Sequence, residues 1–177
     1  MQVSVSHPIP ASAAVAALRR CAVRHVVTVP DWVQLSLHSH LESDAADIDL
    51  ANCCSENQCL TLAAGLYLAG SRALVVMQNQ GFYNCINTLR ALALDARIPL
   101  VIMVGQFGRE FANLDQPSTQ SRRTMVRLLE PMLHTLGVPF QRLDGEDDLG
   151  RIDAAFEQAE AEGGPAVLIV GAPMAWH

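Results

Sequence analysis

Two uninterrupted apolar runs constrain the fold of this chain most strongly, Ala73–Met77 and Leu100–Val104. A strand without alternating polar residues is buried on both faces, which is typical of a parallel sheet covered by helices. Four further strand-like runs alternate with helix-like segments, at His25–Val29, Ile48–Cys53, Val138–Leu143 and Ala166–Val170. The sequence therefore predicts a single α/β domain with three layers: a mostly parallel six-stranded sheet with helices on both faces.

Helix-like segments fill the intervals between these strands. In the clearest one, Ser55 and Gln58 have the spacing of a capping box, and apolar residues repeat at helical spacing from Leu60 onward. Gly70 is a natural end for this helix. The other predicted helices cover residues 11–22, 31–42, 83–94, 122–136 and 147–163. The long polar stretch Gly105–Ser121 matches neither pattern and is expected to be the most mobile segment.

Composition disfavours several classes of protein. The apolar runs fall far short of the roughly 20 residues that a membrane-spanning helix needs, and residues 1–10 lack the charged and apolar regions of a secretion signal. The net charge is −6, and the 12 Lys and Arg residues are all arginines, none of them in a basic stripe. Because nucleic-acid binding needs a clustered basic face, we expect a cytoplasmic protein that binds neither membranes nor nucleic acids.

The lack of lysine and the spacing of the cysteines narrow the chemistry further. Without lysine the chain can form no Schiff base and can carry no Walker-type phosphate loop. The five cysteines are Cys21, Cys53, Cys54, Cys59 and Cys85. None forms a C-x-x-C pair and no carboxylate cluster accompanies them, so we expect reduced core thiols and no metal site on this chain.

Polar residues follow four of the predicted strands. Parallel strands place their carboxyl ends at one edge of a sheet, and ligands bind beyond that edge in open α/β folds. The four segments are Pro30–Trp32, Cys53–Glu56, Gln78–Gly81 and Gly105–Glu110. Their expected convergence predicts a ligand site at this edge.

Glu56 is the candidate catalytic residue of this edge. It lies in the first turn of a predicted helix, where the helix dipole stabilises a carboxylate by ~0.3–1 kcal/mol, so a purely structural role is open. The functional alternative is a carboxyl that shares a proton with a ring nitrogen of a ligand. That alternative requires burial of the carboxyl at an interface between subunits.

The segment Gln78–Gly81 also has two interpretations. It is either an ordinary turn, because Asn and Gly favour turns, or a cluster of uncharged amides that hydrogen-bonds a polar ligand. Two glutamines are poor turn formers, which favours the second interpretation. Asn84 extends the same polar edge and is also placed to cap the following helix.

Three further residues at this edge have structural alternatives. Asp31 can cap the helix that follows it, Trp32 can belong to the core, and Arg109 can be a solvated loop cation. An arginine at a strand end can also bind a sulfonate, phosphonate or carboxylate in a bidentate manner. The histidines, including His38, are interpreted as structural or surface residues.

These motifs resemble the pyrimidine-binding (PYR) domain of thiamine-diphosphate enzymes, in particular the sulfopyruvate and phosphonopyruvate decarboxylases. Met77–Gly81 with Asn84 resembles M-Q-N-S-G-x-x-N, with Gln80 in place of the serine, and is the most specific match. Val29–Asp31 resembles V-P-D after the first strand, and Ser55–Asn57 resembles N-E-x. Weaker matches lie at residues 98–100, 108–110, 127–131 and 136–139. In the second of these, the order of the family's R-G-E is altered. With these matches the resemblance covers nearly the whole chain.

The resemblance implies one PYR-type domain over residues 1–177 in which Glu56 activates thiamine diphosphate by hydrogen-bonding its aminopyrimidine ring. It assigns cofactor contacts to Gln78, Asn79, Gly81 and Asn84, and substrate contacts to Asp31, Gln80 and Arg109. The G-D-G…N-N motif, with which a PP domain holds Mg²⁺ and the diphosphate, is missing from the sequence. A separate PP-domain beta subunit that carries Mg²⁺ is therefore expected, in a homo- or hetero-oligomer.

The implied function is that of an alpha subunit of a thiamine-diphosphate-dependent decarboxylase, which acts on a short 2-oxo acid only together with its partner. Two alternatives stay open at this point. One is a non-catalytic α/β regulatory or assembly subunit, and the other is a subunit of an acetolactate-synthase-like carboligase.

Overall fold

The computed structural model describes residues 8–114 and 116–176 and contains one parallel sheet. The strands are β1 (His25–Thr28), β2 (Asp49–Asn52), β3 (Ala73–Gln78), β4 (Leu100–Gly105), β5 (Phe140–Leu143) and β6 (Pro165–Val170). They are arranged in the order β2-β1-β3-β4-β6-β5, and each neighbouring pair is parallel. The predicted six-stranded α/β sheet is thus confirmed.

Helices cover both faces of this sheet. They are α1 (Ala11–Arg20), α2 (Leu35–Asp44), α3 (Glu56–Leu68), α4 (Asn79–Asn84), α5 (Ile86–Leu89), α6 (Thr124–Arg127), α7 (Leu129–Leu136) and α8 (Gly150–Glu162), with a π-helical turn at Arg90–Asp95. Leu18 of α1 and Phe156 of α8 belong to the core on one face, together with α2. Leu60 of α3 and Leu133 of α7 belong to the core on the other, together with α4 and α5.

The position of each strand follows from its polarity. The central strands β4 and β6 are buried along their whole length and β3 nearly so, which accounts for their uninterrupted apolar sequences. The edge strands β2 and β5 are only four residues long, and most of their residues are partly exposed. Short, polar edge strands are a common protection against pairing with other chains.

The register of the sheet brings the polar segments to one edge. Gln78, the last residue of β3, pairs with Gly105, the last residue of β4. Gly105 in turn pairs with Val170 at the end of β6, and Thr28 pairs with Asn52 at the ends of β1 and β2. The four polar segments therefore lie at the carboxyl edge, as the sequence predicts.

Several helix boundaries differ from the expectation. The helix expected over 83–94 is divided among α4, α5 and the π-helical turn, and the one expected over 147–163 begins only at Gly150. The helix expected over 31–42 begins only at Leu35, because residues 31–34 form a turn held by Asp31. The polar residues after β3 form no loop, since α4 begins directly at Asn79. The helix expected over 122–136 breaks at Leu128, so Pro131 lies in the first turn of α7, where its missing N–H costs no hydrogen bond. Within the described residues, no helix has the length and apolar character needed to cross a membrane.

Candidate functional site

Glu56 is the first residue of α3, and the end of that helix is held by two side chains. The Ser55 hydroxyl accepts a hydrogen bond from the Gln58 N–H at 3.4 Å, as expected for an N-cap. The Gln58 side chain reaches back and accepts from the Cys54 N–H at 3.0 Å, one residue before the position that a standard capping box uses. The predicted cap is therefore present, and it fixes the turn that presents Glu56.

The Glu56 side chain lies directly against Gly81 of α4. A Cβ atom built on Gly81 would overlap Oε1, Cδ and Cγ of Glu56. Gly81 is buried while Glu56 is only partly buried, so the carboxylate rests on the glycine and keeps an open side. This contact brings together two residues that the sequence places in one site.

Asn57 clamps the first turn of α3 to the junction between α4 and α5. Its Oδ1 accepts a hydrogen bond from the Thr88 hydroxyl at 2.5 Å, and its Nδ2 donates to the Asn84 carbonyl at 3.4 Å. This contribution of Asn84 comes from its backbone, and its side chain does not cap α5. Sequence reasoning did not find the clamp, because no local pattern links Asn57 to Thr88, 31 residues away.

Two buried thiols, Cys59 and Cys85, interact electrostatically with the Glu56 carboxylate. Burial, with a further contribution from the Glu56 carboxylate, raises the pKa of Cys85 to about 12. Burial also raises the pKa of Cys59, again with contributions from Cys53 and Glu56. These thiols therefore stay protonated at neutral pH and are not nucleophiles, in agreement with their interpretation as core residues.

The amide segment after β3 has a mixed role. Asn79 is fully buried, and its Nδ2 donates to the carbonyls of Phe107 and Met125 at 3.1 and 3.0 Å. It therefore ties β3 to the segment that follows β4. Gln78 is partly exposed and Gln80 is exposed at the edge. Gln78, Gln80 and the exposed Asn84 are therefore the predicted amide ligands with side chains that a bound molecule can reach.

Asp31 is 1% exposed, and its carboxylate is engaged by neighbouring groups. Oδ1 accepts from the Val33 N–H at 3.0 Å and Oδ2 from Gln34 Nε2 at 2.7 Å. Burial raises the pKa of Asp31 to about 6, although hydrogen bonds from Gln34, Val33 and Gly105 oppose the shift. A Cβ on Gly105 would overlap Asp31 Oδ2, so the strand end needs a glycine. Asp31 thus caps its own turn, and a direct substrate contact stays a prediction.

Arg109 is not a solvated cation, since its side chain is 2% exposed. Its guanidinium donates to the carbonyls of Asn113, Leu114 and Gln116 at 3.0, 3.2 and 2.8 Å. It also contacts Gln106 Oε1 at 3.2 Å and Asp144 at 3.4 Å. The segment after β4, expected to be mobile, is therefore folded around Arg109. Substrate binding by Arg109 likewise stays a prediction.

Trp32 is not a core residue, because 67% of its surface is exposed. It lies in the turn before α2, since the helix starts later than expected. Phe111 and Trp176 are also largely exposed. Trp32 and Phe111 line one cavity, and Trp32 and Trp176 line another beside it. Sequence reasoning missed this aromatic surface, since a tryptophan is ordinarily assigned to the interior.

The arrangement suits recognition of a polar ligand by a carboxylate. Glu56 offers a partly exposed carboxylate, while Gln78 and Gln80 offer amides without charge. No group of three or more His, Cys, Asp or Glu side chains that could hold a metal occurs within residues 8–114 and 116–176.

Comparison with known proteins identifies the same region. Residues 11–126 match the family described as thiamine pyrophosphate enzyme, N-terminal TPP binding domain. The match covers α1 to α6 and includes Glu56, Gly81 and the segment after β4.

Two curated relatives carry the same printed name, sulfopyruvate decarboxylase subunit alpha. The protein from Methanothermobacter thermautotrophicus is 28% identical over 108 residues, which is 60% of this chain and 66% of the relative. The protein from Methanocaldococcus jannaschii is 28% identical over 92 residues, which is 52% of this chain and 54% of the relative. The chain thus matches just under two thirds and about half of the lengths of these relatives.

Proposed function

Because this chain belongs to the family of thiamine pyrophosphate enzyme N-terminal TPP binding domains, we propose that it is the alpha subunit of a thiamine-diphosphate-dependent 2-oxo acid decarboxylase. Glu56 is its catalytic residue. Residues at the carboxyl edge of the sheet would hold the cofactor, and a second subunit would share it. The names of the two relatives support a sulfopyruvate-like substrate.

The observation that carries the proposal is the position of the Glu56 carboxylate on Gly81. A side chain at position 81 would overlap the acid, so the glycine leaves room for the Glu56 carboxylate. The cap at Ser55 and the clamp at Asn57 fix the direction of the side chain. These residues therefore fit a cofactor that presents a ring nitrogen to an acid.

The chain contributes proton handling and orientation. One Glu56 Oε atom holds a proton that it shares with a ring nitrogen of the cofactor, and the two buried thiols that interact with it supply no competing charge at neutral pH. Gln78 and the Gly81 backbone border the cofactor, with Asn79 and Asn84 holding that border in place. When bound, the cofactor acts as the electron sink for decarboxylation.

A partner subunit completes the site in this proposal. A PP-domain beta subunit would hold Mg²⁺ and bind the diphosphate. The printed word alpha in the names of both relatives supports such a partner. Two surfaces of the chain are suited to contact it: the solvent side of α3, where Leu68 is 73% exposed, and the aromatic surface around Trp32.

The proposal also places the protein in the cytoplasm. The five cysteines are all free, which is typical of a reducing compartment. Substrate contacts are assigned first to the exposed Gln80, since Asp31 and Arg109 have partners within the chain.

The test is Glu56→Gln in the complex reconstituted with a PP-domain subunit. We expect decarboxylation of sulfopyruvate to fall by roughly 100-fold or more, the range for loss of a positioned acid–base group. Glu157→Gln on the exposed surface of α8 is the matched control and should keep full activity. Wild-type turnover in Glu56→Gln would refute the proposal, and acyloin in place of aldehyde among the products would identify a carboligase.

A further inference from the structure

A cavity of about 220 Å³ opens at the carboxyl edge, beside the proposed cofactor site. It lies between the turn after β1 and the segment after β4. Its walls are largely apolar and include Trp32, Phe107, Phe111 and Pro173. Its polar side chains are the amide of Gln106 and the guanidinium groups of Arg109 and Arg123, all of which can donate hydrogen bonds. The cavity therefore combines an apolar enclosure with amide and guanidinium groups.

Gln106 has a donor without an acceptor. The residue is 1% exposed, and its Oε1 accepts from Arg109 Nη1 at 3.2 Å and Arg142 Nη2 at 3.5 Å. Two guanidinium donors fix which end of the amide is oxygen, because the reverse orientation would oppose donor to donor. Gln106 Nε2 then finds no partner among the described residues. Buried donors are nearly always paired, and Gln106 lines this cavity, so an acceptor bound there would supply the missing partner.

Arg123 is the available cation of the cavity. Its Nη1 lies 3.3 Å from the position of a Cβ on Gly108, so the guanidinium packs against this glycine beside Met125. No hydrogen bond or ion pair joins its guanidinium to the residues that the structure describes. The nearby Glu110 carboxylate is already bound by the Ser121 hydroxyl at 2.6 Å and the Arg122 N–H at 2.9 Å. Arg123 can therefore bind an incoming anion.

Arginines and carboxylates are equal in number around the cavity. Arg109 and Arg142 lie behind Gln106 and share the single carboxylate of Asp144. Arg142 has a second partner in Glu130, while Arg109 otherwise donates to neutral oxygens. Arg123 interacts electrostatically with Glu110 and helps to lower the pKa of that carboxyl. Three arginines are thus accompanied by three carboxylates, and an anion would be held by the local donors of the cavity and not by a net positive charge.

We propose that this cavity binds a small oxyanion, such as a sulfonate, phosphonate or phosphate group, through Arg123 and Gln106 Nε2. Arg109 holds the walls in place and does not itself bind the anion. The anion can be the second acid group of a substrate or a free inorganic ion. Only the first of these two sources rests on the proposed function.

Binding can be measured on the full chain without cofactor or partner. In a Trp176→Phe background, Trp32 is the only remaining tryptophan and lines the cavity. We expect methanesulfonate and inorganic phosphate, titrated at constant ionic strength against chloride, to change its fluorescence saturably. Arg123→Gln and Gln106→Glu should each weaken binding at least tenfold. The glutamate still accepts from Arg109 and Arg142 but removes the donor and repels the anion.

Arg122→Gln is the matched control, because Arg122 is the exposed neighbour of Arg123 and does not line this cavity. No saturable response, or equal affinity in the Arg122 and Arg123 variants, would overturn the inference. Thermal melting of each variant verifies folding, and Arg123→Gln changes only an exposed side chain. Should Gln106→Glu fail to fold, the pair of arginine variants alone decides.

The reconstituted complex distinguishes the two sources. If the substrate supplies the anion, Arg123→Gln raises the KM for sulfopyruvate at least tenfold but leaves the KM for pyruvate, which lacks the second acid group, unchanged. If the anion is free, both KM values stay the same while phosphate binding is lost. A complex without any decarboxylase activity would refute the proposed function and leave the fluorescence result standing.

Discussion

The carboxylate of Glu56 occupies the space that a side chain at Gly81 would need. The two residues lie 25 positions apart and belong to different helices, α3 and α4. Their contact makes the orientation of the acid depend on the absence of a single methyl group. Gly81 does not have a positive φ, so its backbone conformation does not itself require glycine.

Gly81→Ala should separate stability from activity. Alanine in a helix is favoured over glycine by roughly 0.5–1 kcal/mol, so the backbone tolerates the change, while the new Cβ displaces the Glu56 carboxylate. We expect a melting temperature close to that of the wild type and turnover of the complex reduced at least tenfold. Gly150→Ala, where a Cβ meets no atom within 4 Å, is the control and should keep its activity. Unchanged turnover in Gly81→Ala would show that the contact does not matter.

Thr88→Val tests the clamp on the first turn of α3. Valine keeps the shape of the side chain and removes the 2.5 Å hydrogen bond to Asn57 Oδ1. We expect a loss of about 1 kcal/mol in the free energy of unfolding and a lower kcat with little change in KM, because Glu56 is less well oriented. Thr135→Val removes a comparable hydrogen bond to the Pro131 carbonyl on α7. If both variants lower kcat equally, the clamp has no special role.

Arg109→Met tests whether Arg109 is a structural residue. Its removal leaves the carbonyls of Leu114 and Gln116 without this donor, while Asn113 O keeps the Gln116 N–H and Gln106 Oε1 keeps Arg142. The free energy of unfolding in urea should therefore fall by about 3 kcal/mol. Arg109→Lys keeps the charge but not the fork of donors and should lose less. The exposed Arg122→Gln should change stability by less than about 0.5 kcal/mol. A normal unfolding curve with a raised KM would instead indicate a substrate contact.

The sheet was predictable because its signal is local. The strands β3, β4 and β6 are buried on both faces, so each has an uninterrupted apolar sequence that can be recognised without knowing its neighbours. The carboxyl edge then follows from the parallel arrangement alone. The placement of Glu56 at a helix start was predictable for the same reason, since Ser55 and Gln58 lie within one turn of it.

The surroundings of the site were not predictable, because they depend on contacts distant in sequence. Asn79 has the sequence context of a turn residue, yet it is buried and donates hydrogen bonds to carbonyls 28 and 46 positions away. Arg109 looks like a surface cation until the segment that it organises is folded around it. Neither residue has a periodic neighbour that would reveal its partner. For such polar side chains, burial is decided by tertiary structure and not by local propensity.

Asp31 and His38 form the pair on which the pH dependence of stability should rest. The Asp31 N–H donates to His38 Nε2 at 3.1 Å, and both side chains are buried. Burial raises the pKa of Asp31 to about 6 and lowers the pKa of His38 to about 4. Both groups are therefore held towards their neutral forms.

The two groups make opposite contributions to the pH dependence. Folded Asp31 keeps its proton up to a higher pH than the unfolded chain does, so its contribution to the free energy of unfolding falls as pH rises from about 4 to 6. Folded His38 takes up its proton only at a lower pH than in the unfolded chain, so its contribution rises between about pH 4 and 6.5. Each shift of about two pKa units corresponds to roughly 3 kcal/mol, and in the wild type they largely cancel.

Single substitutions should therefore reveal opposite slopes. In His38→Gln, whose amide oxygen can still accept from the Asp31 N–H, the free energy of unfolding should decrease from pH 4 to 6. In Asp31→Asn the free energy of unfolding should increase from pH 4 to 6.5. This slope is expected even though the variant is less stable at every pH, because asparagine replaces one acceptor oxygen with an amide nitrogen. Urea unfolding at half-unit pH steps measures both slopes, and the exposed His134→Gln serves as control. If the free energy of unfolding changed with pH in the same way in both variants, burial would not shift the pKa values of Asp31 and His38 in opposite directions.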